Sequence, residues 1–394
     1  MRVLISGAGV AGPTLAFWLL RHGFTPTLVE SAPRLRTGGY IIDFWGAGFE
    51  VANRMGLLPL IRPRGYIVQE MRVVNDAGKA VVRVPTEVFV EATRGGFTSI
   101  PRGDLAAAIY ESLEGKVETL FGDRIVHIDE TGDGVHITFE HAEPRRFDLV
   151  VGADGLHSGV RQLLFGEEAG FEKYLGVKVA AFTVSGYMPR DELVYVMYTQ
   201  VGRQVARFSM RDDRTMFLLT FQDDDPAIPS SLAEQKALLR TRFAGGKWEC
   251  PQILDALDHC SELYFDRVSQ IHMGPAAGSW SRGRVTLVGD AAFCVSLLAG
   301  QGTALAMTAA YILASELRRS GGDYAGAFAR YQQRFGPFVL AKQKSATSMA
   351  SFFAPRSSLG LWLRNVAMNL MGQGWLVRLA LGRTLIDRID LSHD

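Results

Sequence analysis

Apolar positions along this chain change period several times, and each change marks an element. Residues 3–6 (VLIS) form a short apolar run, residues 11–21 carry apolar side chains at helical spacing, and residues 25–30 return to a strand-like run ending in Glu30. Strand, glycine turn, helix and strand in that order predict a βαβ unit. Two later apolar runs also end in an acid: FDLVVGADG reaches Asp154-Gly155, and RVTLVGD reaches Gly289-Asp290 before a loop and a long helix through Leu317. Between them VKVAAFTVSGYM, ELVYVMYTQ, VARFSM and TMFLLTF alternate with period two, which predicts a sheet with one buried face. Leu232 to Phe243 returns to helical spacing, and no internal repeat stands out.

The opening unit has the chemistry of a dinucleotide site. In GAGVAG, Gly7 makes the tight turn, Gly9 lets the backbone approach a pyrophosphate, and Gly12 lets the helix pack on the strand. The helix start beside Ala11 then offers free N–H groups to phosphate. Glu30, at the end of the second strand, stands where a carboxylate accepts hydrogen bonds from a ribose. NAD and FAD share these features, so the motif leaves the choice open.

The glycine loop, the segment FDLVVGADGLHSGVR and the segment RVTLVGDAAFCVSLLAGQG together resemble the single-component flavoprotein monooxygenases. This para-hydroxybenzoate hydroxylase-like family includes phenol and polyketide hydroxylases and tetracycline-inactivating enzymes, and the resemblance spans most of residues 1–340. It implies an α/β protein: a Rossmann-like FAD-binding domain (1–70, 98–170 and 268–340), an interleaved mixed β-sheet substrate domain (71–97 and 171–267) and a C-terminal helical segment (341–394). It also implies FAD with NADPH or NADH as transient donor, and O2 transferred through a flavin C4a-hydroperoxide to an aromatic or polyketide-like small molecule. Asp290 matches the acid on the ribityl chain, Gly300 and Gly302 the turn facing the ring and pyrophosphate, and Arg102 the arginine that reaches FAD from a helix start. Asp154 and Gly155 match the segment associated with FAD and the nicotinamide donor; Arg36 and Asp43 flank the Gly38-Gly39 pair where relatives contact flavin or that donor.

The chain departs from the family at Phe293, where relatives carry His, at Ser296-Leu297, where they carry a proline pair, and at Ala304 and Ala309 in the following helix. The AAFC and GTALAM stretches are closer to the tetracycline-inactivating and natural-product branch. An FAD-dependent dehydrogenase or oxidase, a simple NAD-dependent dehydrogenase and a catalytically silent flavin-binding module remain alternatives. In the alternating segments Tyr195, Met197, Tyr198, Arg207, Phe208, Phe217 and Phe221 are candidate substrate contacts, of which alternation sends about half to the pocket. Arg207 reads equally as a steering charge for an enolate or phenolate and as one half of a surface ion pair.

Composition narrows the partners. A length of 394 residues suits two or three domains. Net charge +1 without a polybasic run argues against nucleic acid. Three cysteines without CxxC spacing suggest neither a disulfide framework nor a zinc site, no metal site is expected, and Asp223-Asp224-Asp225-Pro226 reads as a polar turn. MRVLISGAGV leads directly into the first strand, and no apolar stretch is long enough to span a bilayer, so the expectation is a cytoplasmic monomer or weak homodimer. Beyond Ala341 apolar residues such as Phe352, Trp362, Met368, Trp375 and Leu379 are punctuated by Pro355, Gly360, Gly372, Gly374 and Gly382, which predicts two short amphipathic helices. Packing on the core, gating the substrate entrance and interfacial attachment to a membrane are three readings of that tail.

Overall fold

The computed structural model describes residues 1–35, 39–93, 95–273, 279–371, 389 and 391. Val3, Leu4 and Ile5 are completely buried. The strand Arg2–Ser6 is therefore covered on both faces, which explains its unbroken apolar run. It lies inside a six-stranded sheet ordered Ser281–Arg282, Val285–Leu287, Leu149–Gly152, Arg2–Ser6, Thr25–Glu30, Glu118–Phe121. Four of its pairings are parallel, and Ser281–Arg282 alone is antiparallel to its neighbour. Helix Ala11–Arg21 makes the first crossover. Helix Gly302–Arg319 buries every residue from Leu305 to Leu317 and so is apolar around its circumference. Its one charged exception, Glu316, is ringed by Arg319, Arg330 and Arg334 at 3.3, 3.0 and 3.4 Å.

The alternating segments form a seven-stranded sheet ordered Tyr264–Ile271, Glu172–Ser185, Arg214–Gln222, Arg203–Ser209, Val194–Gln200, Glu70–Val74, Ala80–Pro85. It is mixed because Glu70–Val74, arriving from the first half of the chain, pairs in parallel with Val194–Gln200. Phe182, Phe217, Leu219 and Phe221 point to one face, beneath helices Leu232–Phe243 and Cys250–His259. A capping box between Ser231 and Glu234 starts the first of these helices at the predicted residue. The other, inner face carries Met197 and Ala206 against Met368, Phe208 and Met216 against Tyr66 and Tyr40, and Val177 and Val179 against Leu298. A three-stranded sheet (Arg145–Phe147, Gly134–Phe139, Ile125–Thr131) and the pair Ile41–Trp45 with Phe97–Pro101 complete the β structure of the described residues.

The C-terminal reading needs correction. Helix Tyr324–Phe353 runs unbroken through residue 341, where a separate segment was expected to begin. Its buried stripe continues through Phe328, Tyr331, Phe335, Val339 and Ala346, with buried Gln343 filling the gap by donating to the carbonyls of Ile271 (2.8 Å) and Cys294 (3.2 Å). One expected amphipathic helix is Ser358–Met371. The rest of the tail, with Gly372, Gly374, Trp375, Leu379 and Gly382, lies outside the described residues apart from Ile389 and Leu391. Leu391 is buried in the core around the six-stranded sheet, and its carbonyl accepts from Arg54 at 2.7 Å. Leu391 is therefore part of the core.

Candidate functional site

Gly7 and Gly12 leave no room for a side chain. Gly7 has φ +104°, its N–H donates to Val29 O at 2.7 Å, and a Cβ there would lie 2.5 Å from Ala153 O; at Gly12 it would lie 1.9 Å from Gly7 O. Gly9 is the opposite case, because a Cβ would meet nothing within 4 Å and the position opens outward. The N-cap of helix Ala11–Arg21, Val10, makes no side-chain cap, which leaves this helix start suited to an anionic acceptor. Glu30 reaches back into this loop: one carboxylate oxygen accepts from Ala8 N–H at 2.8 Å and the other from Ala32 N–H at 2.9 Å. This is a cradle fitted to phosphate, held in shape by a carboxylate at the second strand end.

A second lobe meets the cradle at its side. Gly289, at φ +68°, faces Ala11 and Ala306 so closely that a Cβ would lie 3.2 Å from the Ala11 methyl. The following residue, Asp290, is half-buried and its carboxylate looks toward Gly302, where a Cβ would come within 3.7 Å of Oδ1. Burial pushes the Asp290 carboxyl above its ordinary range, and the positive charge of Arg102 works against that. Arg102 is the exposed first residue of helix Arg102–Glu111, and its N–H donates to Tyr40 O at 3.1 Å. Tyr40, pushed up to about 12 by burial, packs against Tyr264 with ring centroids 5.4 Å apart. Gly300 (φ +65°) and Gln301 line a narrow cleft with Asp43, Trp45, Thr308 and Phe338.

Ser296, in the loop where relatives carry the proline pair, sits at φ +115°, a conformation that costs a non-glycine residue about 1–3 kcal/mol. Its hydroxyl accepts from Leu298 N–H at 3.3 Å, so a local hydrogen bond shapes the loop in place of proline rings.

Asp43 accepts from Ser99 at 2.5 Å, and burial raises its carboxyl. Burial, and after it the Asp43 charge, holds the Tyr195 phenol well above its ordinary value. Phe208 packs on the Tyr195 ring at 4.6 Å, with Met197 two residues along the same strand face. Arg207 and Phe217, together with Tyr198 and Phe221, belong to the opposite face, a correction to their reading as substrate contacts. Arg207 is 2% exposed, pairs with Asp191 at 2.6 Å and Glu249 at 3.1 Å, and lies over Trp248. Strand alternation decided this, since Tyr195 and Phe208 being inward forces Arg207 outward.

Asp154 serves its own turn, accepting from Ser158 at 2.5 Å and Val160 N–H at 3.1 Å, while Gly155 supplies φ +80°. Arg36 lies outside the described residues. Arg161 is fully buried and donates to Ala291 O at 3.0 Å, Leu156 O at 2.6 Å and Glu168 at 2.7 Å, tying the Asp154 turn to the Asp290 turn. Beside it His157 contacts Glu168 at 2.8 Å and Asp266 at 3.5 Å. Asp223 of the acidic turn pairs with Lys178 at 3.2 Å and Arg242 at 2.9 Å. Tyr40, Tyr264 and Arg161 carried no signal in the sequence beyond their type, because their partners lie far along the chain.

The comparisons with known proteins agree with this arrangement. Residues 1–326 match the family described as FAD binding domain. Over 350 residues the chain is 41% identical to an uncharacterized protein of Mycobacterium tuberculosis, covering 86% of this chain and 91% of that one. It is 32% identical over 368 residues to a flavin-dependent monooxygenase of Legionella longbeachae, covering 90% of each. Among solved structures, tetracycline destructase Tet(51) superposes with a TM-score of 0.83 at 29% identity, covering 99% of this chain and 98% of that one. A glycine cradle built for phosphate and relatives matched along nearly their whole length lead to one conclusion: the chain belongs to the FAD-binding, para-hydroxybenzoate hydroxylase-like family of flavin-dependent monooxygenases.

Proposed function

We propose that this protein uses NADPH or NADH and O2 to place one oxygen atom on an aromatic or polyketide-like small molecule. The carrying observation is the strand Ile41–Trp45: its Asp43 lines the cleft beside Gly300, while its Ile41 packs with Tyr195, Phe208 and Met216 on the inner face of the seven-stranded sheet. A cofactor cleft and an aromatic sheet face thus share one strand. In this reading Gly7, Gly9, Ala11, Gly12 and Glu30 hold the adenosine and pyrophosphate half of FAD, and Arg102, Asp290, Gly300 and Gly302 hold the ribityl and ring half. FAD, when bound, supplies the redox chemistry and the activation of oxygen. The chain supplies orientation and exclusion of water. Tyr195, kept protonated by burial, offers a neutral phenol rather than a charge on this face, with Phe208 and Met197 as its apolar surroundings. A polycyclic substrate is supported by the likeness to a tetracycline destructase.

The test is a panel of tetracyclines and polycyclic phenols, with NADPH or NADH oxidation followed under 18O2 and products weighed. Gain of one labelled oxygen is the expected result. Cofactor oxidation that changes the substrate without adding label would assign the protein to dehydrogenases or oxidases.

A further inference from the structure

Helix Ser358–Met371 is apolar on two sides, and among the described residues only one of them packs on the protein. Met368, 1% exposed, enters the cluster of Val73, Val82, Val84 and Met197, and Asn369 donates to Val81 O at 3.1 Å. On the other side Leu359, Trp362, Leu363, Val366 and Leu370 are 65, 59, 53, 36 and 48% exposed. Their spacing of i, i+3, i+4, i+7 and i+11 confines them to an arc of about 100°. Fifteen large apolar side chains are exposed among the described residues, and five of them are on this one helix. Scattered exposed apolar side chains are ordinary, whereas a contiguous stripe marks a surface that meets something.

Charge indicates what it meets. From 324 to 386 the sequence contains no Asp or Glu and eight Lys or Arg, in a chain whose net charge is only +1. Glu316 offsets Arg330 and Arg334, but Lys344 and Arg356 are exposed before the helix, and Arg378 and Arg383 follow it in sequence. An apolar stripe with Trp, in a stretch of sequence that carries cations and no acid, suits the headgroup region of a bilayer with anionic lipids. Pairing with a second copy would bring two cationic segments together. No described helix is long and apolar enough to cross a membrane. We propose that helix Ser358–Met371 docks in the plane of an anionic lipid surface, inserting Leu359, Trp362, Leu363, Val366 and Leu370.

The experiment is co-sedimentation of full-length, FAD-loaded protein with phosphatidylcholine vesicles, with and without phosphatidylglycerol. Partition into the phosphatidylglycerol vesicles is expected, weakening as salt rises. The double replacement Trp362→Ser with Leu363→Ser should reduce partition by at least about tenfold. Both side chains are mostly in solvent, so flavin content and melting temperature should stay as in the parent, and Trp362→Phe should retain partition. Absence of partition, equal partition into neutral vesicles, or an unaffected double variant would overturn the proposal. So would a concentration-dependent dimer, seen by light scattering, that the same double variant abolishes, because the stripe would then belong to a second copy.

Discussion

Asp154 and Asp290 stand at the ends of neighbouring parallel strands, each within a Gly-Asp or Asp-Gly pair, yet their carboxylates face different tasks. Asp154 is engaged by Ser158 and Val160 of its own turn, whereas Asp290 faces the Gly302 helix start beside the Cys294 thiol. Replacement Asp290→Ala should therefore remove a charge-assisted hydrogen bond to FAD worth about 1.5–3 kcal/mol. Affinity should fall about tenfold or more when FAD is titrated into the apo-variant, and an unchanged titration would refute the assignment. His157 makes a second prediction. Hydrogen bonding to Asp266 and then Glu168 pushes it up to about 10, so the imidazolium persists at neutral pH. A raised value adds stability that is fully present below the ordinary histidine value near 6.5 and is lost as pH rises through about 10. The side chain is half exposed, and solvent screening keeps the effect small. The melting-temperature difference between the parent and His157→Gln should be largest near about pH 6 and vanish above about pH 10; a difference independent of pH would show that the ion pairs contribute nothing.

Helix Ser358–Met371 enters the inner face of the seven-stranded sheet through Met368. Its thioether closes the cluster of Val73, Val82, Val84, Met197 and Ala206, on the same face as Tyr195 and Phe208. Met368→Ala should cost about 2–5 kcal/mol in denaturant unfolding if this helix melts with the rest of the chain. Loss of much less, with FAD still bound, would mean that the helix is a separately melting unit. The long helix Tyr324–Phe353 differs in kind, since its buried stripe reaches from Phe328 to Ala346 and Gln343 stitches it to two backbone carbonyls. A polar residue inside an apolar stripe disguised this continuity in the sequence. The strands and the helix Leu232–Phe243, by contrast, follow their sequence patterns closely, because alternation and a Ser231–Glu234 capping box are local signals.

At the scale of the molecule, the seven-stranded sheet meets the cofactor-side segments along a seam of polar and aromatic contacts: Asp43, Ser99 and Tyr195 at one point, Tyr40 and Tyr264 at another, His157 and Asp266 at a third. The sequence by itself determined the βαβ unit, the glycine cradle, the strand-end acids, the period-two strands and, through its ordered motifs, the family. These rest on the spacing of neighbouring residues, and spacing is written in the chain. Only the tertiary structure decided that Arg207 and Phe217 lie under helices while Tyr195 and Phe208 belong to the opposite face, that Arg161 bonds a carbonyl 130 residues away, and that Leu391 is core. Alternation assigns residues to two faces but does not say which face is covered by what. That depends on partners brought close by folding, and such contacts leave no period for a single sequence to reveal.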